Sequence, residues 1–512
     1  MNEYSIIPRP ASIEYMPGFF QCEGLPQITP QGKAAFQNET RVFTGQIRET
    51  WGDRIYSGDS GNIRLVKTEN RSAEESYKLE ILPEVITLSA GTDTGIFRGL
   101  QVLRQLFLSG YSNGALSIRC GVMEDKPRFP WRGFMLDCSR YFYSPEFIRK
   151  LLDTLSLQHI NIFHWHLTDD QGWRLPVRAY PLLTEIGSKR RDHRLDGKVL
   201  GGYYTEEEIR SIVSYAAGRH IEVVPEIELP GHASAILAAY PGLGCTGGPY
   251  RVEDRFGIFE DVLCAGNDGI FTLLEAVFDT VTRLFPSKYV HIGGDEVLFN
   301  RWAECPKCRR RLGILRLTEP SQLQGWLTAR FSHMLHELGK TAIGWDEVLE
   351  NTEKFPLPED MIVMSWRGRE GGSKATSLGH RVIMAPQTDG CYLDHKPIDL
   401  PEEPGRLGFG TIAQGLSMDP ITAGMDENAA ALVMGGQGNL WSEVIYSGKF
   451  AEYMIFPRIC AIAEALWSEK VSNAWNDPVR EGPDLADFAK RLFVHQCRLD
   501  KLGILQYRGP LG

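Results

Sequence analysis

The sequence predicts an α/β protein: a (β/α)8 TIM barrel over residues 126–470, a small α+β domain before it (1–125) and a helical tail after it (471–512). Three observations predict it. From Arg128 onward an apolar run, a polar loop and an amphipathic stretch recur, and eight strand candidates fit a closed barrel better than an open sheet. Carboxylates and tryptophans collect just past the ends of those runs, where parallel α/β folds place their chemistry. The first 125 residues read differently, as short strands and a helix without a catalytic cluster.

In chain order, Ile63–Lys67, Tyr77–Leu82 and Val85–Ala90 alternate as strands, with turn residues between them. Ile96, Leu100, Leu103, Leu106 and Phe107 then fall on one face of a helix. Phe134–Cys138 is the first barrel strand. Its helix opens at Ser144-Pro145-Glu146, an N-cap with proline in the first turn. The second strand is Asn161–Leu167, and Thr205 to Glu208 form a capping box for the helix that stops at Gly218. The later strands are Ile221–Ile227, Lys288–Ile292, Thr341–Trp345, Met361–Trp366, Arg381–Ala385 and Ala431–Gly435. A helix spans Leu323–Leu338, a closing helix spans Phe450–Trp467, and Phe488, Leu492 and Leu499 mark the tail helix.

Composition narrows the function. A net charge of −10 argues against a nucleic-acid or anionic-membrane surface, and no apolar run reaches membrane-spanning length. The first residues lack a basic stretch followed by an apolar one, so a cytoplasmic setting is expected. Ten cysteines in 512 residues do not make a disulfide framework.

The strand ends carry Asp137 and Arg140; His164, His166, Asp169 and Asp170; Glu226, Glu228 and His232; Asp295 and Glu296. Further on come Trp345-Asp346-Glu347, Trp366-Arg367, Asp389, Tyr392, Asp394, Trp441 and Glu443. Carboxylates and arginine bind hydroxyls, flat rings stack on a pyranose, and a positioned acid protonates a leaving oxygen. The expected partner is a small oligosaccharide or glycoconjugate. Within Gly293-Gly294-Asp295-Glu296, adjacent acids on a strand would point apart, so a twist at the glycines is expected to bring both to the barrel mouth.

Two other groups raise metal chemistry. His164 and His166 share a strand face, as metal ligands do in barrel hydrolases. Such a site also wants His, Lys or Asp on later strands, where this chain carries Trp and Tyr, so structural or supporting roles are expected and a metal-dependent hydrolase is the alternative. Cys305-Pro306-Lys307-Cys308 is half a zinc site at best, with no second pair at compatible spacing, and reads as two loop thiols. No cofactor and no metal ligand is expected.

His291-Ile292-Gly293-Gly294-Asp295-Glu296 resembles the signature of family 20 glycoside hydrolases, the β-N-acetylhexosaminidases. Asp137–Tyr141, His164–Arg174, Pro225–His232 and Gly438–Glu443 match in the expected order, and the first 125 residues look like the domain that precedes the barrel in this family. The resemblance implies a retaining exo-hydrolase for terminal GlcNAc or GalNAc in which the substrate's acetamido oxygen is the nucleophile. By that resemblance Glu296 is the general acid/base, with a pKa expected to be raised by burial and its charged neighbour. Asp295 stays ionised to hold the acetamido N–H, and Tyr392 donates to its carbonyl. Trp345, Trp366 and Trp441 form an aromatic wall, Arg140, Asp394 and Glu443 grip hydroxyls, and Asp169 and His232 relay to the acid. The family usually has Asp where this chain has Glu228, a change expected to alter a supporting contact and spare the catalytic pair. Loops 187–202 and 241–265 are expected to shape the aglycone side. A sugar-binding barrel without turnover is the other alternative.

Overall fold

Eight parallel strands close into a barrel in the computed structural model, which describes residues 3–30, 36–52, 62–69, 74–192, 196–469 and 483–512. They are β1 (Trp131–Asp137), β2 (Ile162–His166), β3 (Glu222–Glu226), β4 (Tyr289–His291), β5 (Thr341–Trp345), β6 (Ile362–Ser365), β7 (Val382–Met384) and β8 (Val433–Leu440). Each pairs with the next, and β8 returns to β1 with Leu440 opposite Leu136. Side-chain alternation sends Trp131 and Met135, Ile162, Val224, Tyr289, Ile343, Ile362 and Met364, and Ile383 into the lumen, where they pack as a filled core. The same parity turns His164, His166, Glu226 and His291 inward, above that apolar layer.

Local signals set most helices. Ser144 accepts from the Phe147 N–H and Pro145 begins the helix Pro145–Ser156; Thr205 and Glu208 complete the capping box of Glu206–Ala217. Two expectations change. The eighth strand begins at Val433 rather than Ala431, because Ala431 ends the short helix Glu427–Ala431, and it runs on through three glycines to Leu440. The closing helix is two helices, Gly448–Ile455 and Arg458–Trp467, broken at Pro457, which has no N–H to continue the ladder.

The N-terminal domain is a seven-stranded sheet, of which the sequence patterns captured three strands. Ser12–Glu23 escapes an alternation test because Pro17 and Gly18 interrupt it and its register shifts between Tyr15 and Phe19. The helix Asp93–Gly110 lies on this sheet, and its Arg98 reaches toward the barrel. There Glu75 accepts from Arg98 Nε (2.7 Å) and pairs with Arg132 of β1 (2.5 Å), so one carboxylate joins the two domains. Trp467 adds a second tie, donating its indole N–H to Asp125 at 3.0 Å. The tail helix Pro483–Lys501 buries Phe488, Leu492 and Leu499; its Arg498 donates to Gln105 and its Arg491 to Glu464. Residues 471–482 of the tail and 193–195 of the 187–202 loop lie outside the described residues. Among the described residues no helix is long and apolar enough to cross a membrane.

Burial pushes the Glu75 carboxyl up, but Arg132 and then Arg98 outweigh it and bring its pKa down to about 2 from an ordinary 4.5. A depressed carboxyl stabilises the fold fully above its unfolded pKa and loses that contribution as pH falls toward the folded value. Glu75→Gln leaves two buried guanidinium groups facing each other and is expected to destabilise by about 3–5 kcal/mol at neutral pH. Denaturant midpoints for wild type and variant should differ most above pH 5 and converge as pH approaches 2.

Candidate active site

The turn after β4 delivers both acids to the barrel mouth. Gly293 has φ 68°, Gly294 φ 99° and Glu296 φ 54°, so the chain leaves the strand through left-handed backbone. Glycine is required at 293 for a second reason: a Cβ there would stand 1.7 Å from Glu228 Oε1, which itself accepts from the Gly294 N–H at 3.1 Å. The two acids end in different surroundings. The Asp295 carboxylate is 11% exposed and its Oδ1 is buried without a hydrogen-bond partner, whereas the Glu296 carboxylate is 32% exposed.

Behind them lies a chain of ionisable groups centred on Glu226 at the end of β3. His166 Nδ1, His164 Nε2 (3.0 Å) and His291 Nδ1 (2.9 Å) converge on its carboxylate, and the Trp345 indole donates to it at 2.9 Å. His166 Nε2 continues to Asp169 at 2.8 Å, where Arg140 also binds at 2.8 Å. Asp169 in turn faces His232 Nδ1 at 3.2 Å, and His232 Nε2 stands 3.5 Å from Glu296 and 3.8 Å from Asp295. His232 also adopts left-handed backbone (φ 46°), held there by Asp170 at 3.0 Å.

Burial alone would neutralise this chain, but its charges oppose burial. Burial lowers His166, yet Glu226 and then Asp169 raise it to about 10. His232 is likewise raised well above the usual histidine value, by Asp169 against burial. Asp169 is pulled far below the ordinary carboxylate range by Arg140 and His232, again against burial. His164 goes the other way: burial takes it down to about 4 although Glu226 pulls it up.

The opposite wall is aromatic. Trp366 stacks on Tyr392 (6.1 Å, 11°), Trp345 tilts against Trp441 (5.8 Å, 46°), and the Arg140 guanidinium sits over Trp441 at 5.0 Å. Asp137 fixes Arg140, accepting from its backbone N–H at 3.0 Å and pairing with its guanidinium at 3.3 Å. These side chains line one pocket: Arg140, His232, Asp295, Glu296, Trp345, Trp366, Tyr392, Trp441 and Glu443. Asp169 and Asp394 stand behind its wall, Asp394 paired with Arg406 at 2.9 Å. Burial raises the Tyr392 phenol well above its ordinary pKa, so it stays a donor.

Three expectations change. Glu296 is lowered, not raised: burial pushes it up, but the hydrogen bond from the cationic His232 outweighs burial. Asp295 is the acid that burial raises, with Glu296 adding to it against His232. Cys305 and Cys308 have partners after all, since Cys245 and Cys264 come to them from another loop, at sequence distances that no short spacing rule covers. His164 and His166 both turn onto Glu226.

The sequence reading also missed Arg406, which lines the pocket and binds Glu443 at 2.7 Å as well as Asp394. It sits in the long connection between β7 and β8, far from any strand end, so no positional signal marked it. Glu347, seen only as a strand-end acid, accepts from the Trp366 indole at 2.8 Å; burial, then Asp295, push its pKa up to about 8.

A family model described as glycosyl hydrolase family 20, catalytic domain, matches residues 129–470, and one described as glycosyl hydrolase family 20, domain 2, matches residues 3–126. The chain belongs to glycosyl hydrolase family 20. It is 38% identical over 469 residues to a β-hexosaminidase of Porphyromonas gingivalis, a match covering 90% of this chain and 57% of that protein. A Vibrio furnissii β-hexosaminidase is 32% identical over 473 residues, with 90% and 76% covered. Among solved structures, an exo-β-N-acetylglucosaminidase from Vibrio harveyi in complex with N-acetylglucosamine superposes with TM-score 0.87 at 30% identity, over 99% of this family 20 chain and 78% of that one. A Streptomyces plicatus β-hexosaminidase mutant in complex with GlcNAc gives 0.84 at 28%, over 99% and 97%.

Gly293→Ala introduces both a collision with Glu228 and left-handed strain of about 1–3 kcal/mol. It should lower activity while far-UV circular dichroism stays native-like. His232→Gln removes the cation that holds Glu296 down, so the Glu296 pKa should rise. The alkaline limb of the kcat/KM–pH profile, set by an acid that must be protonated, should move to higher pH.

Proposed function

We propose that this chain is an exo-acting β-N-acetylhexosaminidase that removes terminal non-reducing β-linked GlcNAc from oligosaccharides or glycoconjugates, with GalNAc as the second substrate to test, by a retaining, substrate-assisted mechanism. One observation carries the reading. The buried Asp295 Oδ1 lacks a donor, beside a phenol held in its donor form and walls of tryptophan. An acetamido group brings what that slot lacks: an N–H for Asp295, a carbonyl for Tyr392 and a methyl for the aromatic wall of Trp345, Trp366 and Trp441.

In the first step the acetamido carbonyl oxygen attacks C1, the C1–O glycosidic bond breaks, and Glu296 gives its proton to the leaving oxygen. Asp295 as carboxylate accepts the N–H and stabilises the positive charge of the oxazolinium. In the second step Glu296 takes a proton from water, which attacks C1 and reopens the ring, so the anomeric configuration is retained. Arg140 and the Arg406-held carboxylates Asp394 and Glu443 are the groups for the sugar hydroxyls.

The shifts at the two acids give the substrate a further task. Burial raises the Asp295 carboxyl, whereas His232 lowers Glu296 against burial. An acetamido N–H donating to Asp295 favours the carboxylate there. Substrates without the N–H do not.

Hydrolysis of an aryl β-N-acetylglucosaminide should fall by roughly a hundredfold or more in Glu296→Gln. Equal rates would remove Glu296 as the acid, and tight binding without turnover in wild type would make this a sugar-binding barrel. Aryl β-glucosides, which lack the acetamido group, should be poor substrates. Proton NMR of the first product formed should show the β-anomer.

A further inference from the structure

Four cysteines meet on the rim of the barrel, and the reaction uses none of them. Cys245 follows the short turn Pro241–Leu243, Cys264 precedes the helix Gly269–Leu284, and Cys305 and Cys308 flank the start of the helix Pro306–Leu315. Their sulfurs lie within 4.8 Å of one another. Cys245 and Cys308 are 3.8 Å apart, Cys264 and Cys305 3.7 Å, and Cys264 and Cys308 3.6 Å. We propose that Cys245, Cys264, Cys305 and Cys308 form a tetrathiolate site for one structural zinc ion.

The distances fit that ion. Four thiolates at about 2.3 Å from a tetrahedral zinc are separated from each other by about 3.8 Å. A disulfide would need about 2.05 Å. Thiols used only as small hydrophobes have no reason to gather, and among the described residues no other group of three or more cysteines does so. Four soft ligands with no water-bearing position suit a closed structural site.

The backbone is arranged for it as well. Gly244 bridges Leu263 in antiparallel fashion and the Cys264 N–H donates to Leu243 at 2.9 Å, which sets Cys245 and Cys264 side by side. Pro306 starts the other helix, so Cys305 and Cys308 sit at its N-terminal end, where the dipole favours thiolate. The two halves touch through backbone: a Cβ on Gly266 would lie 2.2 Å from the Lys307 carbonyl carbon. Only glycine permits that approach.

The site joins the two loops that carry the relay. Leu263, beside Cys264, donates its N–H to Pro230 at 3.0 Å, two residues before His232. Its carbonyl accepts from Trp302 at 2.9 Å, in the helix Asn300–Glu304 that leads from Glu296 to Cys305. Zinc bound here would fix the His232 loop against the Asp295–Glu296 loop.

Elemental analysis of protein purified with reductant and then dialysed into metal-free buffer should find one zinc per chain. Cys264→Ser and Cys308→Ser should lose it and melt at lower temperature; Cys497→Ser, at an exposed cysteine outside the cluster, should keep it. Should those variants fail to fold, wild type titrated with a mercurial should release its zinc as the cluster thiols react. Cobalt exchanged into the site should show sulfur-to-metal charge-transfer and tetrahedral ligand-field bands. Protein with no stoichiometric zinc and no such bands, its cluster thiols free to a disulfide reagent, would overturn the proposal in favour of packed thiols. A zinc-free mass lowered by four hydrogens would overturn it in favour of two disulfides.

Discussion

The Glu226 carboxylate is the charge around which the barrel mouth is built. A carboxylate with no exposure to water carries a desolvation penalty of several kcal/mol, and only close, well-aimed partners offset it. The close partners come from three strands: His166 of β2 and Trp345 of β5 hydrogen-bond to it, and His164 of β2 and His291 of β4 stand within 3.0 Å. The interaction therefore fixes the register in which these strands meet and the tilt of a tryptophan in the pocket wall. It also holds His166 cationic beside Asp169, an anion kept chiefly by Arg140, and Asp169 in turn raises His232 beside Glu296.

That dependence explains what was legible in the sequence. Strand parity is local, so the inward face of His164 and His166 and the collection of acids and tryptophans at strand ends could be read from spacing alone. The twist at Gly293-Gly294 was legible for the same reason, since two glycines before two acids leave few other readings. Arg406 was not, because its value comes from reaching Asp394 and Glu443 across the barrel mouth. Nor was the meeting of four cysteines, which arrive from two loops. The sign of the Glu296 shift was hidden too. It depends on a histidine whose own charge is set by Asp169, which lies far from it in sequence.

The same limits hold for the fold. Helix starts with side-chain caps, at Ser144 and Thr205, were placed within a residue because capping is a short-range contact. The eighth strand was placed early because the alanines before it are as good in a helix as in a strand, and its own glycines carry no apolar pattern. Those glycines suit close backbone pairing: a Cβ on Gly435 would meet the Trp131 carbonyl oxygen at 2.0 Å. Closure of the barrel, a long-range requirement, decides residues that look permissive locally.

The division of labour between the two acids follows from these constraints. Asp295 and Glu296 are neighbours in sequence, yet the left-handed turn places one against Glu228 in the wall and the other beside a cation at the opening. Glu228 is itself raised well above the carboxylate range, by burial and then by Asp295 and Glu226. Its carboxylate is what fills the space above Gly293. Asp295 thus faces Glu228 and His232, with its buried Oδ1 left without a hydrogen-bond partner. A group whose N–H fills that position favours the carboxylate at Asp295.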